Sequence, residues 1–181
     1  MRSVVSGTMD DREIVGRQLG RPPRAFRRVA VRCPYGLPAV TEQAPFTATG
    51  EPFPTTYYLT CPSLVSAISR LEAAGGVERW TRAAAEDPAL GVSLRAANAE
   101  QRRLRRALAR ERDGDPILDS GIGGSRSETH LKCLHAHVAF ALARPGYVLG
   151  ERILSEVDPR WPADGCCSSE LVKVLDAGRG A

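Results

Sequence analysis

The chain has 181 residues, 43% hydrophobic and 25% charged, which is the make-up of one globular domain and excludes a disordered or fibrous chain. Aromatic residues are only 6%, so aliphatic side chains and alanine must supply most of the core. The net charge of +4 comes from two local concentrations of arginine. With no aromatic platform between the arginines, both are expected to be solvated faces, and nucleic-acid binding is not expected.

Met1–Asp11 holds one arginine and no continuous apolar run, so it reads as neither a secretory signal nor an anchor. Residues 1–8 are expected to be a disordered extension, with Met9 a candidate start. Asp10–Leu19 is a short helix stopped by Gly20 and Pro22-Pro23. It is followed by the first arginine concentration, Arg17, Arg21, Arg24, Arg27, Arg28 and Arg32. Phe26–Arg32 predicts a strand, Leu37–Thr41 a weaker one, and the proline-bearing stretch Ala44–Pro54 a hairpin-like loop. Thr55–Thr60, made of β-branched, aromatic and aliphatic residues, predicts the best strand of the chain.

From Cys61-Pro62 onward the periodicity is helical. Ser63 is a fair N-cap for a helix with Leu64, Ile68 and Leu71 on one face, which Gly75-Gly76 ends. Val77–Ala85 predicts a second helix, and a third runs from Asp87-Pro88 towards Arg112. The third helix carries Leu90, Leu94, Ala97, Gln101, Leu104 and Leu108 at alternating steps of four and three. Such a seam packs inside an α-hairpin or docks on a partner's helix, and internal packing is the reading favoured here. The second arginine concentration, Arg102, Arg103, Arg105, Arg106, Arg110 and Arg112, flanks it.

Asp113–Ser127 reads as a mobile linker. Its Gly121-Ile122-Gly123-Gly124-Ser125 run lacks the Gly-Lys-Ser/Thr ending of a phosphate loop. Glu128–Ala143 predicts a helix stopped by Pro145-Gly146. Its apolar part, Leu131–Ala143, is far short of the ~20 residues needed to span a bilayer. Val148–Val157 predicts a last helix, and residues 168–181 a disordered extension. The architecture expected over residues 9–167 is a single α+β domain, with a small antiparallel sheet from the N-terminal third packed against a helical remainder.

With no export signal, the chain reads as cytoplasmic, where thiols stay reduced and clustered cysteines serve metals or catalysis. Cys33 opens a Cys-Pro-Tyr-Gly turn, and Cys61 stands at a strand-to-helix junction where a helix dipole lowers a thiol pKa. Cys133 lies among all three histidines, His130, His135 and His137, and the pair Cys166-Cys167 follows Trp161-Pro162. In a regular helix Cys133 shares a face with His137; a helix that starts near Cys133 instead admits His135. Of the adjacent pair, one ligand and one spectator are expected.

Arg32-Cys33-Pro34-Tyr35-Gly36-Leu37-Pro38, Pro52 to Pro62 with its Tyr-Tyr-Leu-Thr-Cys-Pro ending, Ile68-Ser69-Arg70-Leu71-Glu72-Ala73 and Lys132-Cys133-Leu134-His135 together resemble the Domain of Unknown Function 501 family of actinobacteria. The likeness runs from about Asp10 to Cys166. It implies an actinobacterial cytosolic protein of uncharacterised activity. Relatives are often encoded near a coiled-coil septum-formation protein and an exopolyphosphatase, which points to a partner in cell division or the envelope. It also implies that Cys33, Cys61, Cys133, His135 and Cys166 are the motif positions. His137 is not one of them, and Phe140 stands where a histidine is frequent.

Three functional readings follow. The first is a structural metal site, zinc or an iron–sulfur cluster, held by Cys33, Cys61, Cys133 and Cys166, with His135 as the alternative fourth ligand. The second is an interaction module using the Leu90–Leu108 seam. The third is an enzyme with Cys133 or Cys61 as nucleophile and His135 as base.

Overall fold

A computed structural model describes residues 10–109, 112 and 114–170. The expected extension 1–8 lies outside the described residues, as does all of 168–181 beyond Glu170. The chain opens with helix α1 (Asp11–Leu19), whose N-cap Asp10 accepts from the Arg12 amide and whose end is turned by Gly20 in the left-handed conformation. Strands β1 (Phe26–Arg32), β2 (Pro38–Gln43) and β3 (Tyr57–Leu59) follow, then helices α2 (Pro62–Ala73), α3 (Gly76–Glu86), α4 (Pro88–Ala109), α5 (Leu134–Ala143) and α6 (Val148–Leu154).

The sheet is antiparallel in the order β1-β2-β3. Cys33–Gly36 makes the turn between the first two strands, closed by the Gly36 amide on the Cys33 carbonyl at 2.9 Å. β2 is central and buried along its whole length. It therefore carries Glu42 inside, an arrangement that Arg27 and Arg28 of β1 make tenable by pairing with both carboxylate oxygens. β3 is one of the two edge strands, and α5 packs over it, with Tyr57 edge-on to Phe140 at 5.5 Å and Phe140 edge-on to Tyr147 at 5.8 Å. Each such fully buried apolar side chain contributes about 1.5–3 kcal/mol. The molecule is thus the expected α+β arrangement, a small antiparallel sheet against a helical remainder.

The seam on α4 is spent internally. Leu90, Leu94, Ala97 and Gln101 are buried, and Leu104 packs on the same core. The reading of this face as a docking surface is therefore corrected, because α3, α6 and the turns at Pro116–Asp119 and Ile122–Gly124 already pack against α4. The basic stripes are likewise engaged. Arg24 pairs with Glu51, Arg32 with Asp11, Arg102 with Glu128, Arg103 with Glu100, Arg106 with Asp119 and Arg112 with Asp115. Arg105 is buried and donates to the carbonyls of Phe53 at 2.8 Å and Ile117 at 3.4 Å.

The segment expected to be a mobile linker is packed. Leu118 and Ile122 are buried within 3-10 turns, and the Ile122 amide donates to Asn98 Oδ1 at 3.0 Å. The helix expected from Glu128 begins only at Leu134, because serine hydroxyls tie up the preceding backbone. Ser127 Oγ accepts from the amides of Thr129 and His130, and Ser125 Oγ donates towards the His130 carbonyl. Side chains of this kind compete with helical hydrogen bonding for the same backbone groups.

Candidate functional site

Four of the five thiols meet, but as two separate pairs. Cys33 Sγ lies 3.7 Å from Cys166 Sγ, and Cys61 Sγ lies 3.6 Å from Cys167 Sγ. The first pair joins the β1–β2 turn to the C-terminal segment; the second joins that segment to the start of α2. Tyr35 holds the same segment through its hydroxyl, 2.5 Å from the Pro162 carbonyl and 3.0 Å from that of Ala163. Gln18 at the end of α1 donates through Nε2 to Ser168 Oγ at 3.0 Å and to the Pro38 carbonyl at 2.9 Å.

Cys133 and His135 belong to a different place, the first turn of α5. Cys133 is the N-cap, which confirms the late helix start that admits His135 rather than His137 beside it. The His135 ring is already engaged. Nδ1 lies 3.1 Å from Glu72 Oε1, and Nε2 lies 3.2 Å from both the Val65 carbonyl and Ser69 Oγ. Both ring nitrogens thus face groups of α2, Nδ1 a carboxylate and Nε2 a carbonyl and a hydroxyl. Glu72 Oε1 also accepts from the Leu134 amide at 2.5 Å, so one carboxylate from α2 both caps α5 and orients its histidine.

These positions overturn the metal reading. Among the described residues no group of three or more His, Cys, Asp or Glu is placed to hold a metal ion. Cys33, Cys61, Cys133, Cys166 and His135 do not form a common ligand set for zinc or an iron–sulfur cluster. The sulfurs pair off at one end of α2, while Cys133 and His135 stand at the start of α5, with the histidine nitrogens turned to α2. The expectation of one spectator at Cys166-Cys167 is corrected too, since each has its own partner.

The cysteine-enzyme reading fails on the same geometry. Both ring nitrogens of His135 are taken up by Glu72, Val65 and Ser69 of α2 rather than by a thiol. Burial pushes the Cys133 thiol pKa up, against a smaller pull from the Ala136 amide. The lowering expected for Cys61 from its helix-start position is also overturned. Burial is the larger effect and pushes it up to about 12, although the Leu64 and Ser63 amides pull downward.

His137, the other histidine of α5, is fully enclosed. Its Nδ1 lies 2.7 Å from the Tyr147 hydroxyl, and its Nε2 is buried without a partner. Burial holds its pKa down at about 3, so it is a neutral core residue.

The feature that sequence reasoning missed is a cleft of about 540 Å³ between β3, α2 and the start of α5. Tyr57, Tyr58 and Leu59 form one wall, Pro62, Val65 and Ser66 another, and Cys133, His135 and Ala136 a third; Gln18 and Leu19 close the end. Thr60, also on the wall, is 1% exposed. Its Oγ1 has no hydrogen-bond partner, and neither does the buried Oε1 of Gln18. Two buried polar atoms left unpaired in residues bordering one apolar cleft are unusual, since each costs about 1–3 kcal/mol. Thr60 was legible as part of the Thr-Cys-Pro motif, whereas nothing in the sequence singled out Gln18.

Fold and site together define a small α+β domain with a ligand-sized cleft bordered by the motif segments Tyr-Tyr-Leu-Thr-Cys-Pro and Lys-Cys-Leu-His. The chain belongs to the family described as Protein of unknown function (DUF501), whose sequence profile matches residues 29–155, well over half its length. No curated protein and no solved structure matches the chain. Among the described residues no helix is long and apolar enough to cross a membrane.

Proposed function

We propose that the protein binds a small, largely apolar molecule bearing a hydrogen-bonding head group, in the cleft between β3, α2 and α5. The observation that carries this reading is that two residues lining the cleft, Thr60 and Gln18, each keep a buried polar atom, Oγ1 and Oε1, without a partner. The volume of about 540 Å³ lies within the roughly 300–1,000 Å³ range of small-molecule sites. The tyrosine and aliphatic walls suit an aromatic or branched body. Gln18 Oε1 asks for a donor, and Thr60 Oγ1 accepts or donates, so an amide or an alcohol matches both.

A cytoplasmic, actinobacterial setting is supported by the family likeness. A partner in cell division or the envelope is supported by the likeness alone, because the α4 seam that would have carried it faces the core.

The binding reading is tested by ligand-observed NMR with benzamide and benzyl alcohol as probes. Wild-type protein is expected to bind at least one with a Kd on the order of 1 mM. Thr60→Val, which keeps the shape and removes the hydroxyl, is expected to weaken that binding roughly fivefold, the worth of one hydrogen bond. Equal binding by wild type and Thr60→Val, or none by either, removes the support for this site.

A further inference from the structure

We infer that the C-terminal segment Trp161–Ser168 is a redox strap, closed by two disulfides, Cys33–Cys166 and Cys61–Cys167, when a hydroperoxide oxidises the thiols. The two pairs, at 3.7 and 3.6 Å between sulfurs, join residues 133 and 106 apart in sequence. Two adjacent thiols have each found a separate partner, one on the β1–β2 turn and one at the start of α2. A lone thiol among core residues requires no such arrangement. Nothing of the strap from Trp161 to Ser168 belongs to a strand or helix of the fold. Its other ties are the packing of Trp161 on the core and polar contacts to Tyr35 and Gln18.

Closure is chemically balanced. Cys167 is the exposed thiol of the four, and Cys61 is buried. Cys167 attacks the peroxide oxygen, the O–O bond breaks, and a sulfenic acid forms with release of water or alcohol. The Cys61 sulfur then attacks the sulfenic sulfur, the S–O bond breaks, and water leaves with the two protons. Two electrons pass from the thiols to the peroxide for each bridge. The partly exposed Cys166 and the buried Cys33 close in the same way. Each pair of sulfurs approaches by roughly 1.6 Å to reach the disulfide length. A dithiol reductant reverses both steps by exchange. Because burial raises the pKa of Cys61 to about 12 and that of Cys166 to about 11, closure accelerates as pH rises. Cys133, on the cleft wall, has no place in either pair and stays a thiol.

The test treats the full chain with hydrogen peroxide at a few equivalents. A chelator is present to exclude metal-catalysed oxidation, and alkylation and mass spectrometry follow. Trypsin leaves Cys33 and Cys61 on one peptide and Cys166 and Cys167 on another, so a glutamate-specific protease is added and each adjacent thiol is examined alone. Cys167→Ser is expected to give only the Cys33–Cys166 link, and Cys166→Ser only the Cys61–Cys167 link. The wild type is expected to lose two hydrogens per bridge and keep one alkylatable thiol, Cys133. Its Tm is expected to rise by on the order of 10 °C, reversibly with dithiothreitol, because each bridge closes a loop of more than 100 residues. Five alkylatable thiols after treatment, a bridge between Cys166 and Cys167, or any bridge to Cys133 overturns the inference.

Discussion

His137 and Tyr147 show what a buried ionisable pair does to the pH range of a fold. The unfolded chain takes up a proton on this histidine near pH 6.5, while the folded protein resists until about 3. Unfolding therefore consumes a proton in that window, and stability falls as pH drops from about 6.5 towards 3. The loss is several kcal/mol by the lower limit, at about 1.4 kcal/mol per pH unit. His137→Leu is expected to flatten the slope of urea-derived stability against pH relative to wild type; parallel slopes would show that the ring is not enclosed. Arg105 is the opposite case, a buried cation kept by carbonyls rather than carboxylates. Burial lowers its pKa, and its Nε has no partner. Arg105→Ala strands the carbonyls of Phe53 and Ile117, and a cost of roughly 3 kcal/mol in urea unfolding is expected.

The α5–α6 corner tests the packing between elements. A Cβ placed on Gly150 would lie 2.5 Å from the Tyr147 ring and 2.7 Å from the Ala141 Cβ. Gly150→Ala is therefore expected to destabilise by roughly 1–3 kcal/mol, despite the helix propensity it gains, as a thermal melt would register. Most elements were legible in the sequence, because periodicity and punctuation agreed: the α1 stop at Gly20, the β1 span, and the α4 start at Pro88. Those misjudged were decided by contacts that a local window does not contain. Thr55–Thr60 has strand residues throughout, yet only Tyr57–Leu59 pairs with β2 as a strand. The polar run before α5 looked helical, but its serines bond the backbone instead. The glycine-rich stretch looked loose, yet Asn98 and the core hold it in place.

Across the whole molecule, the sulfur motifs were legible and their chemistry was not. Local settings and the family resemblance marked Cys33, Cys61, Cys133 and Cys166 as special, but whether such residues meet is set by topology. The hairpin turn and the start of α2 each received one thiol of the C-terminal segment, while Cys133 went to the start of α5. The cleft was less visible still, since three of its walls come from separate thirds of the chain and its end from α1. The charge pattern was read as two solvated faces, and most of those arginines turn out to be tied to individual carboxylates. Exposed pairs of this kind contribute about 0–1 kcal/mol each.

Gln18 belongs to both halves of this picture. Its side chain lines the cleft, and its amide is one rigid plane, with a buried, unpartnered oxygen and a nitrogen spanning Pro38 and Ser168. A guest that grips the oxygen fixes the plane, and so also where the nitrogen points. Linkage is reciprocal: whatever affinity a closed strap lends to the guest, the guest returns as resistance of the strap to reduction.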